Sequence, residues 1–314
     1  MPLTSDITIN YPKFDPDNAT EDAKKYSDLL EKMTVESPYW WEVGAPRFPE
    51  MMEAGEIGGL KPTRLPGAQE FKIPSREPGR DIPVRVYKPD NGEPSKGILL
   101  HARGGGYCLG SHDSADELLK FYANTCQVTA MSVGYRLAPE HPWPAGREDC
   151  IDVAEHLVNH GEAEHGGKLL FLASESGGAH MMVLAAFALI RSRPQHVPKG
   201  LVLPYGNYTV AMGLPSMVGF DKKILINQEI VQQFTDAYTP GWTAEERRNP
   251  LVSPLFADLR ALAVSTPNMK LPPALLLCGT NDPLLDDTLL MGGGDLDIAK
   301  ESFGYEAGFL LGKL

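Results

Sequence analysis

Four cysteines in 314 residues (Cys108, Cys126, Cys150 and Cys278) form no C-x-x-C pair and have no histidines at zinc spacing. That excludes a disulfide scaffold and leaves no metal site to expect. Basic clusters are also missing. Against 41 Asp and Glu stand 29 Lys and Arg, a net charge of −12, and the densest basic group, Glu245-Glu246-Arg247-Arg248, carries its own acids. Such a chain gains nothing from neutralising phosphates, so neither nucleic acid nor an anionic membrane surface is an expected partner. The longest apolar run, Met181 to Ile190, is too short to span a bilayer. Met1 to Asp6 shows neither the basic nor the apolar part of a leader. No internal repeat or linker stands out. The expectation is a cytoplasmic protein with reduced thiols, a monomer or homodimer, with no metal and no organic cofactor.

What the sequence has is the composition of a folded domain: 42% apolar residues, with 31 Gly and 27 Pro, below the level of low complexity. Near the start, Thr20 can cap a helix whose first turn holds Glu21 and Asp22. Tyr26, Leu29, Leu30 and Met33 follow on one helical face. Tyr39, Trp40, Trp41 and Phe48 come next, as part of an N-terminal arm that packs on the core or lines a pocket. From about residue 80, strands alternate with helices. Ile82–Tyr87, Gly97–His101, Gln127–Val133, Lys168–Ala173, Gly200–Pro204 and Ala274–Cys278 read as strands, and Cys150–Asn159 and Ala179–Arg191 as helices. Short continuous apolar strands alternating with helices imply an α/β fold with a mostly parallel central sheet flanked by helices.

Four stretches carry chemistry. Ser174-Glu175-Ser176-Gly177-Gly178 lies between a buried strand and a helix. There a tight turn projects a serine hydroxyl beside a helix N-terminus, and small neighbours permit the turn. His101-Ala102-Arg103-Gly104-Gly105-Gly106-Tyr107 follows an earlier strand, about 70 residues before that serine. Three glycines let backbone N–H groups approach a ligand unobstructed, as stabilising an oxyanion requires. The third stretch is Tyr135-Arg136-Leu137-Ala138-Pro139-Glu140-His141-Pro142, and the fourth Asp282-Pro283-Leu284-Leu285-Asp286-Asp287 after a strand.

Together and in this order, these stretches resemble the hormone-sensitive-lipase-like branch of the α/β-hydrolase esterases, especially its fungal members, over roughly residues 80 to 290. The resemblance implies one α/β-hydrolase domain over 1–314, a helical cap from about 1–55 and 208–250, and an atypical tail at about 292–314. It implies a serine carboxylic-ester hydrolase working through an acyl-enzyme on small-molecule short acyl or aryl esters or lactones. Ser176 then stands as nucleophile, Asp282 as the acid of the triad, and Gly105, Gly106 and Gly177 as oxyanion-hole donors. Asp286 and Asp287 are weaker candidates, expected to cap or solvate the next helix. Glu175 is expected to be structural in the turn, and Tyr135, Arg136, Glu140 and His141 to hold a loop. Met212, Leu214, Met217, Val218 and Phe220 suit an ester pocket or a core. Two departures stand out: Ser174 replaces the usual glycine two residues before the nucleophile, and Arg103 precedes the glycines where His is commoner, with His101 two residues earlier.

A third departure matters more. The family places its base about thirty residues after the acid, yet all eight histidines lie between His101 and His196. A serine without a base is a weak nucleophile. Two functions fit. One is an esterase lineage with an aberrant or alternative C-terminal end and impaired activity; four intact motifs with an abrupt departure near Met291 favour it. The other is a non-catalytic small-molecule-binding protein on the same fold, as in plant hormone receptors of this family. His180, four residues after Ser176, is expected to pack rather than serve as base.

Overall fold

Strand patterning sets the architecture of the computed structural model, which describes residues 16–58, 61–292 and 313. In chain order the elements are α1 (Glu21–Glu36), α2 (Trp40–Val43), α3 (Arg47–Ala54), β1 (Gln69–Pro74), β2 (Asp81–Tyr87), β3 (Ile98–Ala102), α4 (Asp116–Cys126) and β4 (Thr129–Val133). There follow α5 (Ala145–His165), β5 (Leu169–Ala173), α6 (Ser176–Ser192), β6 (Gly200–Pro204), α7 (Gln228–Tyr238), α8 (Leu259–Val264), β7 (Ala274–Leu277) and α9 (Leu285–Gly292).

Seven strands form one sheet in the order β1-β2-β4-β3-β5-β6-β7. β1, β2 and β4 pair antiparallel, and every pair from β4 to β7 is parallel. β3, β4 and β6 are buried at every residue, as strands covered on both faces must be. Ile98, Leu100 and Ala102 face the cluster that holds the apolar side chains of α5 and α6, while Leu99 faces that of α4. The chain runs from β3 to β4 on one side and returns to β5 on the other. Strand order therefore reverses at β3, and in open parallel sheets the crevice at such a point, beyond the C-terminal strand ends, receives the ligand.

The expected strands and helices are present with shifted ends. β4 starts at Thr129 rather than Gln127, because Gln127 ends α4 in the left-handed region (φ 57°). α5 is longer than the Cys150–Asn159 core that its spacing marks. β1 was invisible in the sequence: it is an edge strand with only Ile73 buried. Thr20 caps α1 as expected, its Oγ1 accepting from the Ala23 N–H at 3.2 Å. The expected apolar face of α1 does not pack as a whole, however. Tyr26 is 63% exposed and Leu29 51%, and of the helix only Met33 and Thr34, near its C-terminal end, reach the pocket wall. The expected atypical tail at about 292–314, apart from residues 292 and 313, lies outside the described residues. So do residues 1–15 of the expected cap.

Buried ion pairs fasten the antiparallel end. Asp116, fully buried, accepts from both Arg85 Nε and Nη2 at 2.6 Å and from the Leu65 N–H. Asp149, also fully buried, takes Arg80 and Arg136, and so ties the Tyr135–Arg136 segment to α5. Among the described residues no helix is long and apolar enough to cross a membrane.

Candidate active site

Ser176 follows β5 by three residues and opens α6 with φ 53°, a left-handed conformation that a non-glycine residue adopts only under strain. The turn is tight enough for Ser174 Oγ to donate to the Ala102 carbonyl across to β3. Ser174 thus stands in for the usual glycine, because its short side chain finds an acceptor there.

Glu175, between the two serines, is tied to the glycine loop. Its Oε1 accepts from the Gly104 N–H at 2.7 Å and its Oε2 meets His101 Nε2 at 2.9 Å. His101 Nδ1 in turn meets Ser132 Oγ at 3.2 Å on the neighbouring strand, so this histidine is buried within the sheet layer rather than in the cleft. Burial pushes the Glu175 carboxyl up. His101, the Gly104 N–H and the nearby Arg103 outweigh it and hold the group below the usual glutamate range. Glu175 is structural, as expected, and so are Tyr135, whose hydroxyl donates to the Arg103 carbonyl at 2.7 Å, and Arg136 on Asp149.

Ser176, Gly105, Gly106 and Gly177 meet at one cavity of about 270 Å³. A Cβ on Gly177 would sit 3.3 Å from the Gly106 nitrogen, so turn and loop are in contact. Among the described residues, the N–H groups of Gly105, Gly106, Tyr107 and Gly177 donate to no protein acceptor, whereas that of Gly104 is taken by Glu175. Gly106 has φ +57°, and a side chain there would collide with the Phe234 ring. The remaining wall is mostly apolar and aromatic, with Arg103 and Asn207 among its few polar residues. Trp40 stacks on Phe234 with 5.5 Å between centroids, and Tyr39 stacks on Trp41 at 4.4 Å. Met33, Phe48, Met52, Ile226, Ile230 and Val231 complete it. Tyr39, Trp40, Trp41 and Phe48 therefore line the pocket, and Trp40 belongs to the core as well. Met212, Leu214, Met217, Val218 and Phe220, for which a pocket and a core role were both open, do not line the pocket. Met217 packs with Val231 and Leu284 in a small separate cluster. The wall comes instead from residues 225–234, for which the i, i+4 pair Ile230 and Phe234 was the available signal.

Asp282 lies in the loop after β7, its Oδ1 accepting from the Leu284 N–H at 2.8 Å. Burial raises its pKa against the opposing pull of that N–H and of the Cys278 thiol. Leu284, two residues on, lines the cavity with Ser176, and Asp282 itself is not on the wall. Asp286 and Asp287 do not solvate α9. They reach across to the segment after β6: Asp286 accepts from the Ser216 N–H at 2.7 Å, and Asp287 Oδ1 from the N–H groups of Tyr208 (2.6 Å) and Thr209 (3.0 Å). That segment positions Asn207, whose N–H donates to the Ser176 carbonyl at 3.3 Å.

No histidine lines the cavity. His180 is fully buried beside Tyr107 and Tyr238, with Nδ1 3.1 Å from the Asn207 carbonyl oxygen and 3.2 Å from the Tyr107 hydroxyl. Burial lowers its pKa to about 4, so it packs as a neutral ring.

Burial also lifts the Asp287 carboxyl to about 7, the Tyr208 and Thr209 N–H groups opposing and the Asp286 and Asp282 charges adding to the rise. An unfolded aspartate titrates near 3.9, so the folded state binds the extra proton between about pH 4 and 7. Stability from this group is therefore complete below about pH 4 and is lost as pH rises through about 7. Asp287→Asn keeps an acceptor for both N–H groups and removes the titration. Its expected effect is nil at pH 4 and a gain of up to about 4 kcal/mol at pH 8. Urea unfolding of both proteins across pH 4–8 measures it, and a difference that does not change with pH would contradict the assignment.

Residues 99–293 match the family described as alpha/beta hydrolase fold, and the chain belongs to that family. It is 31% identical over 227 residues to a carboxylesterase of Mycobacterium tuberculosis, covering 69% of this chain and 67% of that protein. It is 29% identical over 211 residues to an ethyl acetate hydrolase of Pseudomonas putida, covering 66% and 63%. The chain thus spans about two thirds of the length of these relatives. Among solved structures, the hyperthermophilic esterase of the archaeon Pyrobaculum calidifontis superposes with a TM-score of 0.75 over 91% of this chain and 96% of that one, at 24% identity, which shows the shared fold. The chain resembles carboxylic ester hydrolases.

Proposed function

We propose that this chain is a serine carboxylic-ester hydrolase of the hormone-sensitive-lipase-like branch, impaired by the lack of a base. Its substrates are short acyl or aryl esters or lactones. Ser176 is the nucleophile, Asp282 the acid that orients a base, and the N–H groups of Gly105, Gly106 and Gly177 the oxyanion hole. Segments 1–55 and 208–250 form the cap over the pocket. In the full reaction, Ser176 Oγ adds to the ester carbonyl carbon as a base, missing here, takes its proton. The three N–H groups hold the oxyanion, the base returns the proton to the departing alcohol, and water then cleaves the acyl-enzyme to the acid and free Ser176. The bacterial relatives lend no support to a closer tie with fungal members. Among the described residues the four cysteines form no disulfide, which supports a reducing compartment, the cytoplasm.

One observation carries the proposal: a serine held in a left-handed turn shares a single cavity with N–H groups that have no other acceptor. The histidine count favours a second function, ligand binding without catalysis, because none of the eight stands at the cavity. Turnover of p-nitrophenyl acetate and butyrate separates the two, with Ser176→Ala as control. Hydrolysis above the buffer rate supports the esterase. None above buffer, with apolar esters still quenching the fluorescence of Trp40 and Trp41, would leave the binding protein.

A further inference from the structure

We propose that Arg103 is a positioning residue of the oxyanion loop, holding the peptide units whose N–H groups face the ester oxygen. This rests on the esterase function proposed above. In a trans peptide, C=O and N–H point in opposite directions, so anchoring the carbonyl aims the N–H. Arg103 Nη1 donates to the Gly104 carbonyl at 2.9 Å, which belongs to the same peptide unit as the Gly105 N–H. The next carbonyl, that of Gly105, accepts from the Cys108 and Leu109 N–H groups at 3.1 and 2.9 Å, and this aims the Gly106 N–H. Arg103 Nη1 also reaches the Leu109 carbonyl at 3.5 Å, joining the start of the loop to its end.

The side chain is built into the loop rather than laid on it. A Cβ on Gly110 would overlap the guanidinium, and one on Gly105 would come within 3.1 Å of Nη1. The Arg103 backbone carbonyl is pinned by the Tyr135 hydroxyl at 2.7 Å, and the N–H of Gly104 by Glu175 at 2.7 Å. Gly104 is therefore clamped from the nucleophile turn on one side and by the guanidinium on the other. The side-chain hydrogen bonds of Arg103 go to loop carbonyls, and its charge also acts on the Glu175 carboxylate. A cationic donor on a peptide carbonyl also polarises that unit and strengthens its N–H as a donor. Both bonds leave the one Nη1 nitrogen, which the planar guanidinium holds in place; lysine carries the charge but on a flexible stem.

The experiment measures kcat and KM for p-nitrophenyl butyrate hydrolysis by wild type, Arg103→Met, Arg103→Lys and Ser176→Ala. Arg103→Met is expected to lower kcat about 10- to 100-fold, somewhat less than removing an oxyanion donor outright, with KM within twofold. Arg103→Lys should recover part of the loss. An unchanged kcat in folded Arg103→Met, or a raised KM at constant kcat, would overturn the proposal, since either means a wall contact only. Should Arg103→Met fail to fold, Arg103→Lys is compared directly with wild type. A kcat at least fivefold lower at constant KM then supports the proposal, and an equal kcat overturns it. Hydrolysis no faster than buffer in every protein would instead overturn the esterase function, and this proposal with it.

Discussion

Hydrolysis of p-nitrophenyl butyrate by this chain is expected to turn over about 10⁶-fold more slowly than in an enzyme with a complete Ser-His-Asp set, the scale on which loss of the base costs a serine hydrolase. At neutral pH the Ser176 hydroxyl is almost wholly protonated and needs an acceptor for its proton in the transition state. The eight histidines are all placed, and none lines the cavity. His180 is nearest in sequence, but its ring is buried, neutral and bonded elsewhere. What remains is the oxyanion hole and the apolar pocket, together worth roughly 10³–10⁴ over water. The members of a triad act as a unit, so Ser176→Ala should cost little more once the base is missing. A turnover of tens per second that Ser176→Ala abolishes would mean that a base is present after all. Repeating the assay with His180→Ala would tell whether it is that residue.

The second large effect concerns the junction on which the nucleophile turn stands. Gly178→Val is expected to remove more than about 4 kcal/mol of stability, the range reserved for disruptions of the core. A Cβ at Gly178 would run into the Ala102 carbonyl oxygen and Ser174 Oγ, with the Ala102 carbonyl carbon at 2.9 Å. Ala102 is the last residue of β3, in the fully buried middle of the sheet, so the obstacle is backbone that cannot swing aside. α6 would have to lift off the sheet, and Ser176, at its first position, would move with it. Gly166→Ala is the matched control. Its φ of +77° makes alanine strained, but nothing lies within 4 Å of the new Cβ, and about 1 kcal/mol is expected. Urea unfolding of the two variants measures both. A Gly178→Val protein as stable as the control would show that β3 and α6 do not approach this closely.

Much of this protein was legible because its signals are local. A fully buried parallel strand has to be apolar along its length, so Gly200–Pro204 was readable to the residue, and β3 and β5 to within one. The serine turn and the glycine loop were readable for the same kind of reason: close backbone approach demands small residues in a row. β1 escaped because an exposed edge strand is under little compositional pressure, and Gln127 because a single left-handed residue leaves no periodic trace.

Long-range pairings had no such trace. That Glu175 would take the N–H of Gly104 and that Asp287 would hold Tyr208 and Thr209 depends on residues 71 and 78 to 79 apart in the chain. Whether residues 212–220 line the pocket or join a core was left open by the sequence, because apolar composition does not say which of two neighbouring segments turns inward. By itself the sequence determined the α/β class, the order of strands and helices, the small residues at the turn, and the absence of any histidine after His196. Tertiary structure alone decided which N–H groups are left without an acceptor, which aspartates are buried, and which aromatic rings close the cavity. Composition and spacing act along the chain, whereas desolvation and hydrogen-bond partnership are settled only when distant segments pack.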